Sequence, residues 1–208
     1  PSHIFHQIVQ AIEKIMIDCP LAVLGMGLTL PGPFLERSES ILLITGAPDW
    51  QEFDLVHRLR KHFSNIPLYS KHDAKAAALY VWKTQGIAAG SRVMLYLSAG
   101  QGVGAGLVIN GEVYRGSQGT AGEIGHTSIT QDGLRCYCGN NGCLELYSSR
   151  LTLMKNLEAN SRHSLPHPLN FEDVVQAYLK RDKEVMGEVD LMANYLAQGL
   201  VNFINLVN

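Results

Sequence analysis

Near the start of the chain, Ile4, Phe5, Ile8, Val9, Ile12, Ile15 and Met16 recur at helical spacing. They predict an amphipathic helix over residues 3–18, ended by Pro20. The apolar run 21–28 predicts a buried strand, and Pro31-Gly32-Pro33 breaks it into a loop. A short strand is expected at 41–44. Asp49, with Glu52 three residues on, reads as the start of a helix reaching about residue 63. A strand at 66–70 and an alanine-rich helix at 73–83 follow. Residues 92–98 form an apolar strand that runs into the glycine-rich stretch 99–106, and 107–109 continues as strand. Asn110-Gly111 is a hairpin turn signal. Beyond residue 144 the pattern is helical, over 144–160, 171–179 and 182–207, with a loop around 166–168. Val185, Val189, Met192, Leu196, Leu200, Phe203 and Val207 stripe one face of the last helix. That stripe reads first as core packing and second as a partner surface. Alternating strands and helices argue for an α/β fold. We expect a division into residues 1–88 and 89–208.

Composition narrows the class. The chain has 208 residues, 46% of them apolar, with a formal net charge of -2, as expected of a globular protein with a sizeable core. No basic patch stands out, so nothing supports nucleic-acid binding by these residues themselves. No apolar run approaches the roughly 20 residues that span a bilayer, and no signal peptide is evident.

The chemistry concentrates in one stretch. Cys136, Cys138 and Cys143 fall in a short glycine-rich loop, and His126 lies upstream, on what the pattern reads as a strand. Three thiolates and one imidazole make a closed tetrahedral donor set of the kind that holds structural zinc. The alternatives are free core cysteines or a disulfide, but Cys-x-Cys strains a mutual disulfide and three cysteines leave one over. The spacing does not match a nucleic-acid-binding zinc finger. Reduced zinc thiolates make the cytoplasm the expected compartment. Cys19, the remaining cysteine, reads as an inert core residue.

Carboxylates flank these ligands. A metal that ties the loop back to His126 brings Glu123 and Glu145 together, where each can accept hydrogen bonds from adjacent hydroxyls of a polyol. Equally, Glu145 can cap the helix that follows. Asp73, at a strand end and helix start, reads from its position first as a helix cap. The glycine run 99–106 can cradle phosphate or form a tight hairpin, and it fits no Walker or dinucleotide fingerprint.

Gly122-Glu-Ile-Gly-His126, followed by Cys136-Tyr-Cys-Gly-Asn-Asn-Gly-Cys-Leu-Glu145, resembles the signature of the ROK family of repressors, open reading frames and sugar kinases. Residues 135–145 are most similar to its NagC and Mlc type transcriptional regulators. The resemblance implies an actin-like, ribonuclease-H-type fold shared with hexokinase. Residues 1–88 would then be part of a sugar-binding lobe, and 89–208 a lobe with a structural zinc loop and C-terminal helices. Pro31-Gly32-Pro33 resembles a loop that borders the sugar. Lys71-His-Asp-Ala-Lys-Ala76 occupies the place of Glu-Asn-Asp-Ala-Asn-Ala, so the aspartate is kept and both asparagines are replaced.

The resemblance further implies an effector-binding portion of a regulator. It would take a hexose, an N-acetylhexosamine or their phosphates through His72, Asp73, Glu123, His126 and Glu145. Zinc would sit on His126, Cys136, Cys138 and Cys143. DNA would be contacted through a helix-turn-helix not present in these residues, and the chain would form a homodimer or homotetramer. The alternative is an ATP-dependent sugar kinase with Asp73 as base. The family's Asp-x-Gly-Gly-Thr phosphate loop and its C-terminal adenosine glycines are not found here, and Gln101 replaces the glycine-run threonine. We therefore expect a fragment trimmed at both ends that is not itself an enzyme.

Overall fold

In a computed structural model, residues 1–208 are described except 43, 45, 46, 86–90, 161–164 and 208. The chain forms two compact units: Pro1–Tyr96 with Gly106–Gly122, and Leu97–Ala105 with Glu123–Asn208. The expected boundary between residues 88 and 89 lies outside the described residues.

The first unit is built on a parallel strand pair with a helix between its strands. Helix α1 spans Ser2–Asp18, and Phe5, Ile8, Val9, Ile12 and Met16 turn inward, as the periodicity predicts. Ile4 and Ile15, on the edges of that stripe, stay exposed. The expected strand at 21–28 forms later, as β1 at Met26–Leu30, and Leu21 and Leu24 lie in solvent. Residues of β1 alternate between more and less buried positions, so the apolar run overstated burial. β2 (Phe34–Leu35) pairs antiparallel with β3 (Ser40–Ile41), and residue 43 of the strand expected at 41–44 lies outside the described residues.

Helix α2 occupies Leu55–His62 rather than starting at Asp49. Asp54 is its N-cap and accepts from the His57 amide, while Asp49 lies in a short 3-10 turn. β4 (Leu68–His72) then runs parallel to β1, with Leu30 opposite His72. A parallel pair needs a crossover, and α2 lies in it. Phe34, Val56 and Leu59 are buried at the centre of the apolar cluster that α1, α2 and the strands share.

Helix α3 (Asp73–Thr84) starts directly at the end of β4. β5 (Val93–Ala99), β6 (Val103–Ile109) and β7 (Glu112–Val113) form a sheet in that order. The β6–β7 turn is the expected Asn110-Gly111, with both residues at positive φ (52° and 85°) as a type I′ hairpin requires. Gly106 is a close-approach glycine. A Cβ there would come within 2.5 Å of the Ala74 carbonyl and of Ala78 Cβ on α3.

In the second unit the helix expected at 144–160 is two helices. α4 covers Glu145–Ser148 and α5 covers Arg150–Ala159. Ser149 breaks them with extended backbone and caps α5 by accepting from the Thr152 amide. α6 (Phe171–Leu179), capped by Asn170, and the long α7 (Lys183–Val207) follow. Leu153, Leu157, Leu169, Val174 and Val185 form their core. The stripe on α7 is fully buried at Val185 and half-buried from Val189 to Val207, while Val201, Ile204 and Leu206 beside it are exposed. Among the described residues, no helix is long and apolar enough to cross a membrane.

Replacing Gly106 by alanine should destabilise the first unit by about 1–3 kcal/mol through overpacking against α3. Calorimetry should show a lower Tm with unchanged metal content. An unaltered melt would contradict the close packing.

Candidate metal centre and flanking carboxylates

The segment after Gly122 has little regular structure. Ile124–His126 is a single 3-10 turn rather than the expected strand. Beyond it, Ser128 bridges Cys143 and Arg135 bridges Asn141, both as isolated antiparallel pairs. Local bonds complete the fold: the Cys136 amide donates to the Asn140 carbonyl (2.8 Å), and the Ile129 amide to the Gly142 carbonyl (2.9 Å). Asn140 Nδ2 donates to the His126 carbonyl (3.1 Å) and to Ser128 Oγ (3.0 Å). Gly142 has φ +70°, and any Cβ there would overlap the Thr130 carbonyl, so the turn before Cys143 requires glycine. Tyr147 of α4 pins the loop by accepting from the Leu134 amide (2.7 Å), and its ring packs on Tyr195 of α7.

This backbone brings the four expected donors together. One donor atom from each of His126, Cys136, Cys138 and Cys143 lies within 4.8 Å of every other. Cys138 Sγ is 3.7 Å from Cys143 Sγ, and Cys136 Sγ is 3.8 Å from His126 Nδ1. A tetrahedron with metal–sulfur bonds of ~2.3 Å has edges of roughly 3.8 Å. The spacing therefore suits a shared tetrahedral metal such as zinc, and it is far too long for a disulfide. All four cysteines are free thiols, and Cys19 is half-buried at the end of α1 rather than in a core.

The electrostatics describe the cluster with no cation bound. Burial and the neighbouring sulfurs push the Cys143 thiol up to about 12, and burial also raises Cys136. Burial opposes ionisation of Cys138 too, but the Asn140 amide and the other two thiols bring it below its ordinary value. Burial holds His126 low, partly opposed by the Glu145 carboxylate. Without a cation, then, most of the cluster is held neutral.

Glu145 is buried, and its Oε2 accepts from the Val103 amide at 2.8 Å. Glu145 is the first residue of α4, whose N-cap is Leu144. Glu123 precedes the 3-10 turn, half-buried. Glu123, His126 and Glu145 thus belong to the second unit, whereas His72 and Asp73 belong to the first.

There, His72 is buried and its ring packs over Gly32 of the Pro-Gly-Pro loop, so close that position 32 has no room for a side chain. Asp73 is exposed, and its Oδ1 accepts from the Ala74 amide at 2.6 Å and lies 3.5 Å from His72 Nδ1. His72, not Asp73, is the N-cap residue of α3, and its side chain makes no capping bond. Lys75 is completely buried, and its ammonium donates to the Gly119 carbonyl. Glu36 is largely buried, with Oε2 3.3 Å from Arg115 Nε, and together with Asp73 and Lys75 it sets the charge around His72. Sequence reasoning passed over Glu36 and Lys75 as site residues. Lys75 was marked only as a departure from the family pattern, and no local pattern distinguishes Glu36.

The ROK family model matches residues 1–208, and the chain belongs to that family. It is 31% identical over 193 residues to the xylose repressor of Bacillus subtilis, covering 93% of this chain and 48% of the repressor. It is 33% identical over 198 residues to a glucokinase of Halalkalibacterium halodurans, covering 89% of this chain and 59% of the glucokinase. Among solved structures, a ROK hexokinase from Thermus thermophilus superposes with a TM-score of 0.73 at 26% identity, covering all of this chain and 67% of that one. The fold is thus the actin-like, sugar-kinase type expected. The chain spans about half the length of the curated relatives it matches.

Thiols must lose protons to bind a metal, so uptake should weaken as pH falls and should release about two protons or more near neutrality. Calorimetric zinc titration of chelator-stripped protein, repeated in buffers of different ionisation enthalpy, reads that number directly. No proton release would rule out ligation by the thiols.

Proposed function

We propose that this ROK-family chain is the sugar-sensing portion of a transcriptional regulator of the NagC and Mlc type, with one structural zinc on His126, Cys136, Cys138 and Cys143. The effector is a hexose, an N-acetylhexosamine or a phosphate of one of these. The observation that carries the reading is the way the metal cluster is joined to hydroxyl-binding groups. His126 turns Nδ1 toward Cys136, which leaves Nε2 for a ligand, and Glu145 follows Cys143 by two residues. Bound there, zinc supplies a cross-link and no catalysis, since four protein donors leave no open coordination position. It also fixes which imidazole nitrogen carries the proton.

In the second unit Glu123 and Glu145 accept hydrogen bonds from neighbouring hydroxyls, and in the first unit His72 and Asp73 are the candidate sugar contacts. The repressor among the relatives and the similarity of residues 135–145 to regulators support this assignment. In the whole protein, DNA is bound through a helix-turn-helix outside these residues, and the chain assembles as a homodimer or homotetramer in the cytoplasm.

The glucokinase relative favours a second reading, an ATP-dependent sugar kinase with Asp73 as general base. An exposed carboxylate at the β4–α3 junction supports that reading. An ATP-coupled assay against a hexose panel separates the two readings. The regulator reading expects no turnover, and robust phosphorylation would overturn it.

The zinc and the sugar should be lost together. Protein purified without chelator should carry about one zinc per chain, and Cys138→Ala should lose it. Because Cys138 is exposed, its truncation costs little packing of its own. Hydrogen exchange should then report an opened loop, and calorimetry at least a tenfold (about 1.4 kcal/mol) loss of sugar affinity. A metal-free Cys138→Ala protein that binds sugar like the parent would break the link.

A further inference from the structure

The first unit carries a second concave site that the sugar and metal assignments leave unused. A cavity of about 730 Å³ opens beside α3 and the β6–β7 hairpin. Its size is that of a small-molecule site. Half-buried Leu79, Ile109 and Val113 give it an apolar lining. Lys71, Lys83 and Arg115 bring three cations to it, against one carboxylate, Glu112. This runs against the chain as a whole, whose formal net charge is -2.

The counter-charges do not cancel the excess. Arg115 shares Glu36, 3.3 Å away. Neither Lys71 nor Lys83 has an ion pair among the described residues. Two lysines and an arginine at one concavity repel each other, and a bound anion relieves that repulsion. Lys83 and Arg115 are exposed and Lys71 half-buried, so the charges are open to an incoming anion and their attraction for it is screened by salt. The exposed Tyr114 adds a ring and a hydroxyl donor to the lining. A neutral sugar has no use for three cations, and none of the sugar contacts proposed above lines this cavity.

We propose that this cavity binds a small organic anion with at least two negative charges on a compact head group, a phosphate ester or a polycarboxylate. The head group lies among Lys71, Lys83 and Arg115, and the carbon body lies on the apolar lining. The site is independent of the zinc loop and of the sugar reading.

Calorimetric titration of the chain with pyrophosphate and with citrate, against sodium chloride at matched ionic strength, tests the proposal. One saturable site per chain is expected. Tighter binding of pyrophosphate assigns the phosphate class, and tighter binding of citrate assigns the polycarboxylate class. Lys71→Glu combined with Lys83→Glu should weaken binding at least about tenfold while leaving zinc content intact. Reversing two exposed lysines elsewhere, Lys155→Glu with Lys180→Glu, should leave it unchanged. The proposal is overturned if neither anion saturates at millimolar concentration. It is equally overturned if the cavity variant, folded by circular dichroism, binds like the parent, or if the control pair weakens binding as much.

Discussion

Four donor atoms within 4.8 Å of each other, held by a segment with almost no regular structure, set the terms for the second unit. Residues 127–144 contribute two isolated bridges, a few turn bonds and one tyrosine tether. Such a loop buries too little apolar surface to offset the entropy of ordering it. Its buried residues are the sulfurs themselves, Cys136 and Cys143, along with Gly142 and Leu144. Burial also pushes two of the three thiols up, which favours their neutral form when no cation is bound. A tetrahedral cation held by the four donors would convert that liability into the loop's core. Everything that follows in the chain inherits the result, because Cys143, Leu144 and Glu145 lead straight into α4, and Leu144 packs against Gly199 of α7.

The first unit solves a different problem, that of charge in its interior. Lys75 is fully buried at a position where the family resemblance expects an uncharged amide. A buried ammonium costs several kcal/mol unless it is well partnered. The Gly119 carbonyl takes part of that burden, and Glu36 stands close to the same loop. His72, in place of another amide, is closed over Gly32. Both exchanges leave the β1–β4 register and the start of α3 as the strand–helix pattern demands. They alter the hydrogen-bond donors and the charge near Asp73, so they act on what the unit can recognise more than on how it folds.

Legibility in the sequence followed the strength of local constraint. The four metal donors could be read because thiolate chemistry needs those residue types in one tight loop, and the Asn110-Gly111 turn because few residues accept its positive φ values. The errors fell where tertiary packing decides. The run 21–28 looked buried, yet strand formation waits for Met26, where β4 supplies a partner. Asp49 with Glu52 mimicked a helix start, but the chain makes a short 3-10 turn there and caps α2 with Asp54. The break at Ser149 was hidden because serine inside an apolar-periodic run reads as a tolerated helix residue until its side chain is seen accepting from Thr152. Lys75 and Glu36 became notable only once burial was known.

Fold cannot decide between regulator and kinase, since both occur on it and function resides in the site. The glycine turn between β5 and β6 bears more directly on the question. A phosphate cradle needs backbone N–H groups pointed at open space and a positive local field. Here the Gly100 amide donates to the Gly102 carbonyl, closing the turn on itself. The Val103 amide, next in line, is spent on the Glu145 carboxylate at 2.8 Å. A buried carboxylate at the mouth of the turn repels a phosphate that would need the same donor. One function of the turn that the geometry does supply is positional: the Val103 amide at its end holds Glu145, two residues after Cys143.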